Sequence, residues 1–171
     1  MTGQQTPTLP RSAQAGPEMA ALAPFYRDWR WTGRIEAGGM GPGSPEMHGA
    51  GRATCRLGDD GLWYACDFEQ EQTLADGTHV LTWRLHWVAG WDGPSGEYRA
   101  SSADNQGPNI GLYRGRIEGS RLVYESIEDR LPRIRLTWIL EDATHCAWRN
   151  EYTLDGETWI LIEEYRMEMA G

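Results

Sequence analysis

From Trp29 to the end of the chain, apolar and polar residues alternate with a period of two, in short runs broken by turn residues. The pattern is plainest in "LTWRLHWVAGW" (81–91), where Leu81, Trp83, Leu85, Trp87 and Ala89 share one side and Thr82, Arg84 and His86 the other. Trp83, Trp87 and Trp91 also recur every fourth residue, as on a helix, but Leu81, Leu85 and Ala89 complete the alternation of a strand, with Trp91 in the Gly-Trp-Asp corner beyond it. The pairs in "GDDGL", "LADGT", "IEGSR" and "LDGET" mark hairpin connections between such runs. About ten runs result, which predicts an all-β chain closed into an antiparallel β-barrel. Ahead of them, "EMAALAPFY" (18–26) predicts one short N-terminal helix ended near Pro24. Residues 1–17 are polar and hold three prolines, the mark of a flexible tail, and residues 18–171 suit a single barrel domain with one core.

A short turn fixes which residues face each other across a hairpin. A two-residue turn at Asp76-Gly77 sets Gln70 opposite Trp83, Phe68 opposite Leu85 and Cys66 opposite Trp87, with Glu69–Arg84 and Asp67–His86 as charged pairs on the other face. A turn at Asp60-Gly61 independently sets Arg52 opposite Glu69, so Arg52, Glu69 and Arg84 form one outer ladder. Leu57, Cys55, Ala53 and Tyr64 then join the inner face. Gly119-Ser120 places Tyr113, Gly115 and Ile117 against Leu122, Tyr124 and Ser126 inside. Asp155-Gly156 as a two-residue turn pairs Tyr152 with Trp159, Asn150 with Leu161, Trp148 with Glu163 and Cys146 with Tyr165. For "PRIRLTWIL" the turn is ambiguous, and the facing is set by energy. Ile134, Leu136, Trp138 and Leu140 point inward, because the opposite parity would bury the unpaired guanidinium groups of Arg133 and Arg135 at several kcal/mol each.

Composition narrows the function. A net charge of -9 opposes binding to nucleic acid or to anionic membranes, both of which need clustered cations. No apolar stretch approaches the roughly 20 residues that span a bilayer, and the start lacks a basic region before an apolar run, so a cytoplasmic protein is expected. Three cysteines without CxxC spacing are expected to be free buried thiols. Cys55 and Cys66 lie opposite each other as a hydrogen-bonded pair with Cα atoms about 5.5 Å apart, a disulfide being within reach but unexpected in a reducing compartment. Nine Trp and seven Tyr against two Phe favour rings that can both pack and hydrogen-bond.

No G-x-S-x-G elbow, P-loop or dinucleotide fingerprint follows a strand, and "GGMGPGSP" (38–45) reads as a long loop. His86 faces outward beside Asp67, which makes the pair a surface ion pair. His48 and His145 also fall outward, and His79 falls inward at a strand end, where alone it could ligate a haem. With the histidines scattered, no metal site and no cofactor is expected. Glu163 falls inward beside Trp148, Asn150, Tyr152, Trp159 and Tyr165. Such a carboxyl either satisfies the barrel wall or, with a raised pKa, serves as a general acid or base. Asp104 shares inward parity with Tyr98 but ends a strand, where it caps the "DNQG" turn.

The elements "GWDGPSGEY" (90–98), "SADNQG" (102–107), "LYRG" (112–115), the late Trp159 with "EEYR" (163–166), and a W-x-G strand at Trp31–Gly33 resemble the bacterial family designated domain of unknown function 1579. The resemblance covers about residues 18–168 and implies a lipocalin-like (calycin-like) barrel with a helix near one end. It implies no reaction. In such barrels the position of Glu163 is small or apolar, so the carboxylate is a departure.

These readings converge on a barrel whose inner wall binds a small hydrophobic molecule, aromatic or conjugated, through Trp31, Tyr64, Phe68, Gln70, Trp83, Trp87, Tyr98, Tyr113, Tyr124, Trp138, Trp148, Asn150, Tyr152 and Trp159. The alternative is a cofactor-independent lyase, isomerase or cyclase in which Glu163 moves a proton while Tyr165, Asn150 and Tyr152 orient the substrate. The expected partner is that ligand or substrate, with no nucleic acid and no membrane, and a homodimer is compatible with the sequence.

Overall fold

The computed structural model describes residues 14–107, 110–127 and 131–171; most of the expected tail lies outside them. A six-residue helix, α1 (Pro17–Leu22), precedes ten strands: β1 (Trp29–Ile35), β2 (Met47–Leu57), β3 (Trp63–Thr73), β4 (His79–Asp92), β5 (Glu97–Asp104), β6 (Ile110–Glu118), β7 (Arg121–Ser126), β8 (Arg133–Leu140), β9 (His145–Thr153) and β10 (Ile160–Met169). The helix starts one residue earlier than its sequence pattern suggests and ends at Leu22, just ahead of the expected stop at Pro24. Every strand pairs antiparallel with its chain neighbours, and β1 also pairs with β10, closing the ring. Closure leaves no strand edge unpaired, which is what a meander of half-apolar strands needs to avoid edge-to-edge association.

The expected ladders are present. Cys55 faces Cys66 and Arg52 faces Glu69 across β2 and β3, and Glu69 faces Arg84 across β3 and β4. Glu69 accepts from Arg52 at 3.0 Å and from Arg84 at 3.0 Å. Arg135 forks onto Glu151 at 2.9 and 3.0 Å on the outer face, leaving Leu136 and Trp138 inside. Gly119-Ser120 links Glu118 to Arg121 with Gly119 at φ 61°, as a Gly-first two-residue turn requires.

Two hairpins depart from the expected register. At Asp76-Gly77 the loop has three residues: Leu74 N–H donates to Thr78 O, and Gly77 takes φ 85°. A bulge between Gln72 and Thr73 then restores the expected pairing from Gln72–Leu81 onward. Only His79 and Val80 change place, and His79 turns outward onto Glu71, so it is not an interior ligand.

At Asp155-Gly156 no two-residue turn forms, because the Asp155 carboxylate gathers the N–H groups of Glu157 and Thr158 and the Thr153 hydroxyl. The ladder starts at Tyr152–Ile160 and slips at a bulge between Leu161 and Glu163, which gives Asn150–Glu163 and Trp148–Tyr165. Trp159 therefore lies on the outer face, where the guanidinium of Arg135 sits 4.2 Å from its ring centroid. It is not a cavity residue.

Three smaller expectations also fail. Leu57, at the end of its strand, is 47% exposed. Trp91 is not beyond β4 but inside it, paired with Tyr98. Cys55 and Cys66 are joined as a disulfide, with Cα atoms 4.1 Å apart. That is the narrow, non-hydrogen-bonded kind of pair; Cys55 N–H donates away from Cys66, to Asp28 at 2.9 Å. Cys146 is the free thiol, buried and with its pKa pushed up to about 12 by desolvation.

One end of the barrel is plugged. Leu22, Phe25, Tyr26 and Trp29 are buried there. Tyr26 Oη donates to Tyr124 Oη at 3.1 Å and accepts from Trp87 Nε1 at 3.0 Å. Tyr98 Oη donates to the carbonyl of Glu18, holding α1 against the wall. Desolvation raises the pKa of both Tyr26 and Tyr124, so the plug is neutral at any ordinary pH.

A thiol assay in denaturant should find one free thiol without reductant and three after reduction. A Cys55→Ala, Cys66→Ala double variant should lose about 2–3 kcal/mol in urea unfolding, the entropy of a loop this short. Three free thiols without reductant would show the bond to be absent.

Candidate ligand chamber of the barrel

The unplugged end opens into a chamber of about 360 Å³. Its wall comes from β4 (Trp83, Leu85, Trp87), β5 (Ser102, Asp104), β6 (Tyr113), β8 (Ile134, Leu136), β9 (Trp148, Asn150) and β10 (Ile162, Glu163), with Gln72 of β3. Gly39 and Met40, from the glycine-rich loop between β1 and β2, form part of the mouth. Beneath it, Trp31, Phe68, Gln70, Trp138, Tyr165 and Met167 join the shared residues Trp83, Leu85, Trp87, Leu136 and Trp148 around a narrow gap of about 20 Å³, room for one water at most. The lower half of the interior is therefore filled by rings.

Those rings pack edge to face or tilted: Trp87 on Tyr124 at 5.2 Å, Trp138 on Trp148 at 6.1 Å, Trp31 on Tyr165 at 6.3 Å. Trp148 and Tyr165 stack at 5.4 Å and 11°. The Tyr165 ring lies over paired glycines of β1 and β2. A Cβ on Gly33 would come within 2.5 Å of that ring, and one on Gly49 within 2.7 Å of its hydroxyl. The W-x-G motif thus makes room for Tyr165, and Tyr165 in turn holds Glu163.

Glu163 is 5% exposed. Its carboxyl accepts a hydrogen bond from Tyr165 Oη and another from Asn150 Nδ2 at 3.1 Å. Burial raises its pKa, opposed by these donors and by the nearby Gln70 amide. Gln70 accepts from Trp31 Nε1 at 2.8 Å, while its own Nε2 points at the pair without meeting hydrogen-bond geometry. Burial, and after it the adjacent carboxylate, raise the pKa of Tyr165, so it stays protonated.

Four buried polar atoms among the described residues have no hydrogen-bond partner: Gln70 Nε2, Gln72 Oε1, Trp148 Nε1 and Asn150 Oδ1. All four belong to the interior wall. An unmatched buried polar atom costs about 1–3 kcal/mol, and a filled structural core is expected to avoid such groups.

No family model and no curated protein matches this chain. Among solved structures it is similar to the crystal structure of Rv2717c from M. tuberculosis, with a TM-score of 0.63 over 91% of this chain and 99% of that one, at 12% sequence identity. The likeness is one of fold.

Of the expected binding residues, Trp83, Trp87, Tyr113, Trp148 and Asn150 line the chamber. Trp31, Phe68, Gln70 and Trp138 line the gap beneath it. Tyr64, Tyr98 and Tyr124 are buried in the plugged half instead, Tyr64 against the Tyr26 ring and Tyr98 against Trp91. Tyr152 keeps inward parity opposite Ile134 but borders neither space, and Trp159 is outside. Ser102, Gln106, Ile162, Gly39 and Met40 also line the chamber and were not among the expected binding residues, though Ser102 has the inward parity of Tyr98. Ile162 enters through the bulge, and no sequence period marks that bulge. Asp104 sits at the lip and caps the turn after β5, accepting from Gln106 N–H at 2.8 Å. His86 is outside, 2.7 Å from Asp67.

Because the folded state favours the neutral acid at position 163, ionisation there costs stability as pH rises past the ordinary carboxyl value of 4.5. Glu163→Gln removes that cost. The variant's Tm should exceed that of wild type by a margin that grows with pH above about 4.5 and shrinks below it. A margin independent of pH would show that Glu163 is not strained by burial.

Proposed function

We propose that the barrel binds a small hydrophobic molecule, planar and aromatic or conjugated, in the chamber at its open end. The observation that carries this reading is the set of unmatched polar atoms, Gln72 Oε1, Asn150 Oδ1 and Trp148 Nε1, set in an aromatic wall. A mostly apolar pocket of a few hundred Å³ with sparse polar anchors is the general form of a small-molecule site. The resemblance to the domain of unknown function 1579 fits this reading of the barrel and adds no reaction.

A second reading is favoured by one further observation. Glu163, with its raised pKa and its bond to Tyr165, has the environment of a general acid or base in a cofactor-independent lyase, isomerase or cyclase. On that reading Glu163 exchanges a proton with the guest and Tyr165 holds its carboxyl in place.

Native mass spectrometry of freshly purified protein should reveal a co-purifying small molecule, and planar guests should quench tryptophan fluorescence saturably. Trp83→Ala should weaken that binding about tenfold, the worth of one stacking face. Failure of every guest to bind, with no co-purifying mass, would overturn the reading. Wild type turning over a guest that Glu163→Gln only holds would establish catalysis, and equal turnover would exclude Glu163 from it.

A further inference from the structure

We infer that the chamber takes an organic cation: a flat or compact hydrophobic body bearing a protonated or quaternary nitrogen. The inference rests on the ligand-binding reading above and names the class of guest. Its basis is the one-sidedness of the wall. Two carboxyl groups border the chamber, Glu163 on the inner wall and Asp104 at the lip, and none of the described arginines, and no histidine, does. The chain carries sixteen basic residues, all of them arginine. Those on the barrel wall lie on the outer face, as in Arg52–Glu69, Arg84–Glu69, Arg135–Glu151 and Arg149–Glu164.

The neutral polar atoms point the same way. Gln72 is 2% exposed, and its Oε1 is an acceptor with no donor. Asn150 has its orientation set by the bond from Nδ2 to Glu163, which leaves Oδ1 as a second acceptor without a donor. An anionic guest would sit against residues carrying two carboxyls and two unmatched amide oxygens, with the indole N–H of Trp148 as the unmatched donor among the described chamber residues and the Gln106 amide and Ser102 hydroxyl as neutral groups beside it. A cation meets acceptors instead, and the walls offer Trp83, Trp87 and Tyr113, whose ring faces attract positive charge. The net charge of -9 draws cations toward the molecule as a whole.

The test is calorimetric titration of the full chain with three guests of similar size: N-methylquinolinium, its neutral isostere 1-methylnaphthalene, and the anion 1-naphthoate. The cation should bind on the order of tenfold more tightly than the neutral isostere, and the anion should be weakest. Asp104→Asn keeps the turn-capping oxygen and should reduce the preference for the cation; adding Glu163→Gln should abolish it. The single lip variant keeps the test decisive even where the double variant does not fold.

Equal affinity for the cation and the neutral isostere would overturn the charge preference while leaving the chamber as a ligand site. A preference unchanged in Asp104→Asn and in the double variant would overturn its assignment to these carboxyls. Absence of binding by all three guests would overturn both the preference and the ligand-binding reading.

Discussion

The structure depends on closure at β1. This strand has seven residues, and all seven pair on one edge with β10 and on the other with β2. The Tyr165 ring of β10 must clear the backbone where β1 pairs with β2. Gly33 and Gly49 provide that clearance, and Tyr165 fills it. Closure and the candidate site are thereby linked, since the same tyrosine stacks on Trp148 and bonds Glu163. A methyl group at either glycine would displace the ring and the carboxyl it holds.

The two ends of the barrel follow opposite rules. At the plugged end the polar edges of Tyr26, Tyr124, Trp87, Tyr98 and Trp29 all have partners. At the open end Gln72, Asn150 and Trp148 each leave one buried polar atom unmatched. Aromatic residues serve both purposes, filling space below and walling space above. The abundance of Trp and Tyr is therefore not in itself a sign of a cavity. Three of the four unmatched polar atoms belong to residues at the open end, and the fourth, Gln70 Nε2, lies in the gap just beneath it.

Much of this was legible in the chain. Alternation with period two identified the strands, and turns at Asp60-Gly61 and Gly119-Ser120 fixed two registers because a short loop has few geometries. That placed Arg52, Glu69 and Arg84 outside and Trp83 and Trp87 inside, and it removed His86 from the site. Glu163 was visible as a carboxylate at an inward position. The two residues that changed faces share one cause. Asp76-Gly77 and Asp155-Gly156 look alike in sequence, yet one closes a three-residue loop and the other belongs to a longer loop gathered by the Asp155 carboxylate. His79 and Trp159 changed faces for that reason.

What the sequence determined by itself is which side chains could share a face, because strand periodicity and turn chemistry are local. The tertiary structure decided which faces meet and how closely. The bulge in β10 brought Ile162 into the wall and set Glu163 beside Asn150, since a bulge is selected by packing across strands rather than by any local pattern. The Cys55–Cys66 bond likewise required the narrow kind of cross-strand pair, which depends on where Cys55 N–H finds its acceptor. The division of the interior into a filled half and an open half also arose only in three dimensions. It depends on the plug led by α1 occupying one end, a contact between residues nearly a hundred positions apart, as in Tyr26 and Tyr124.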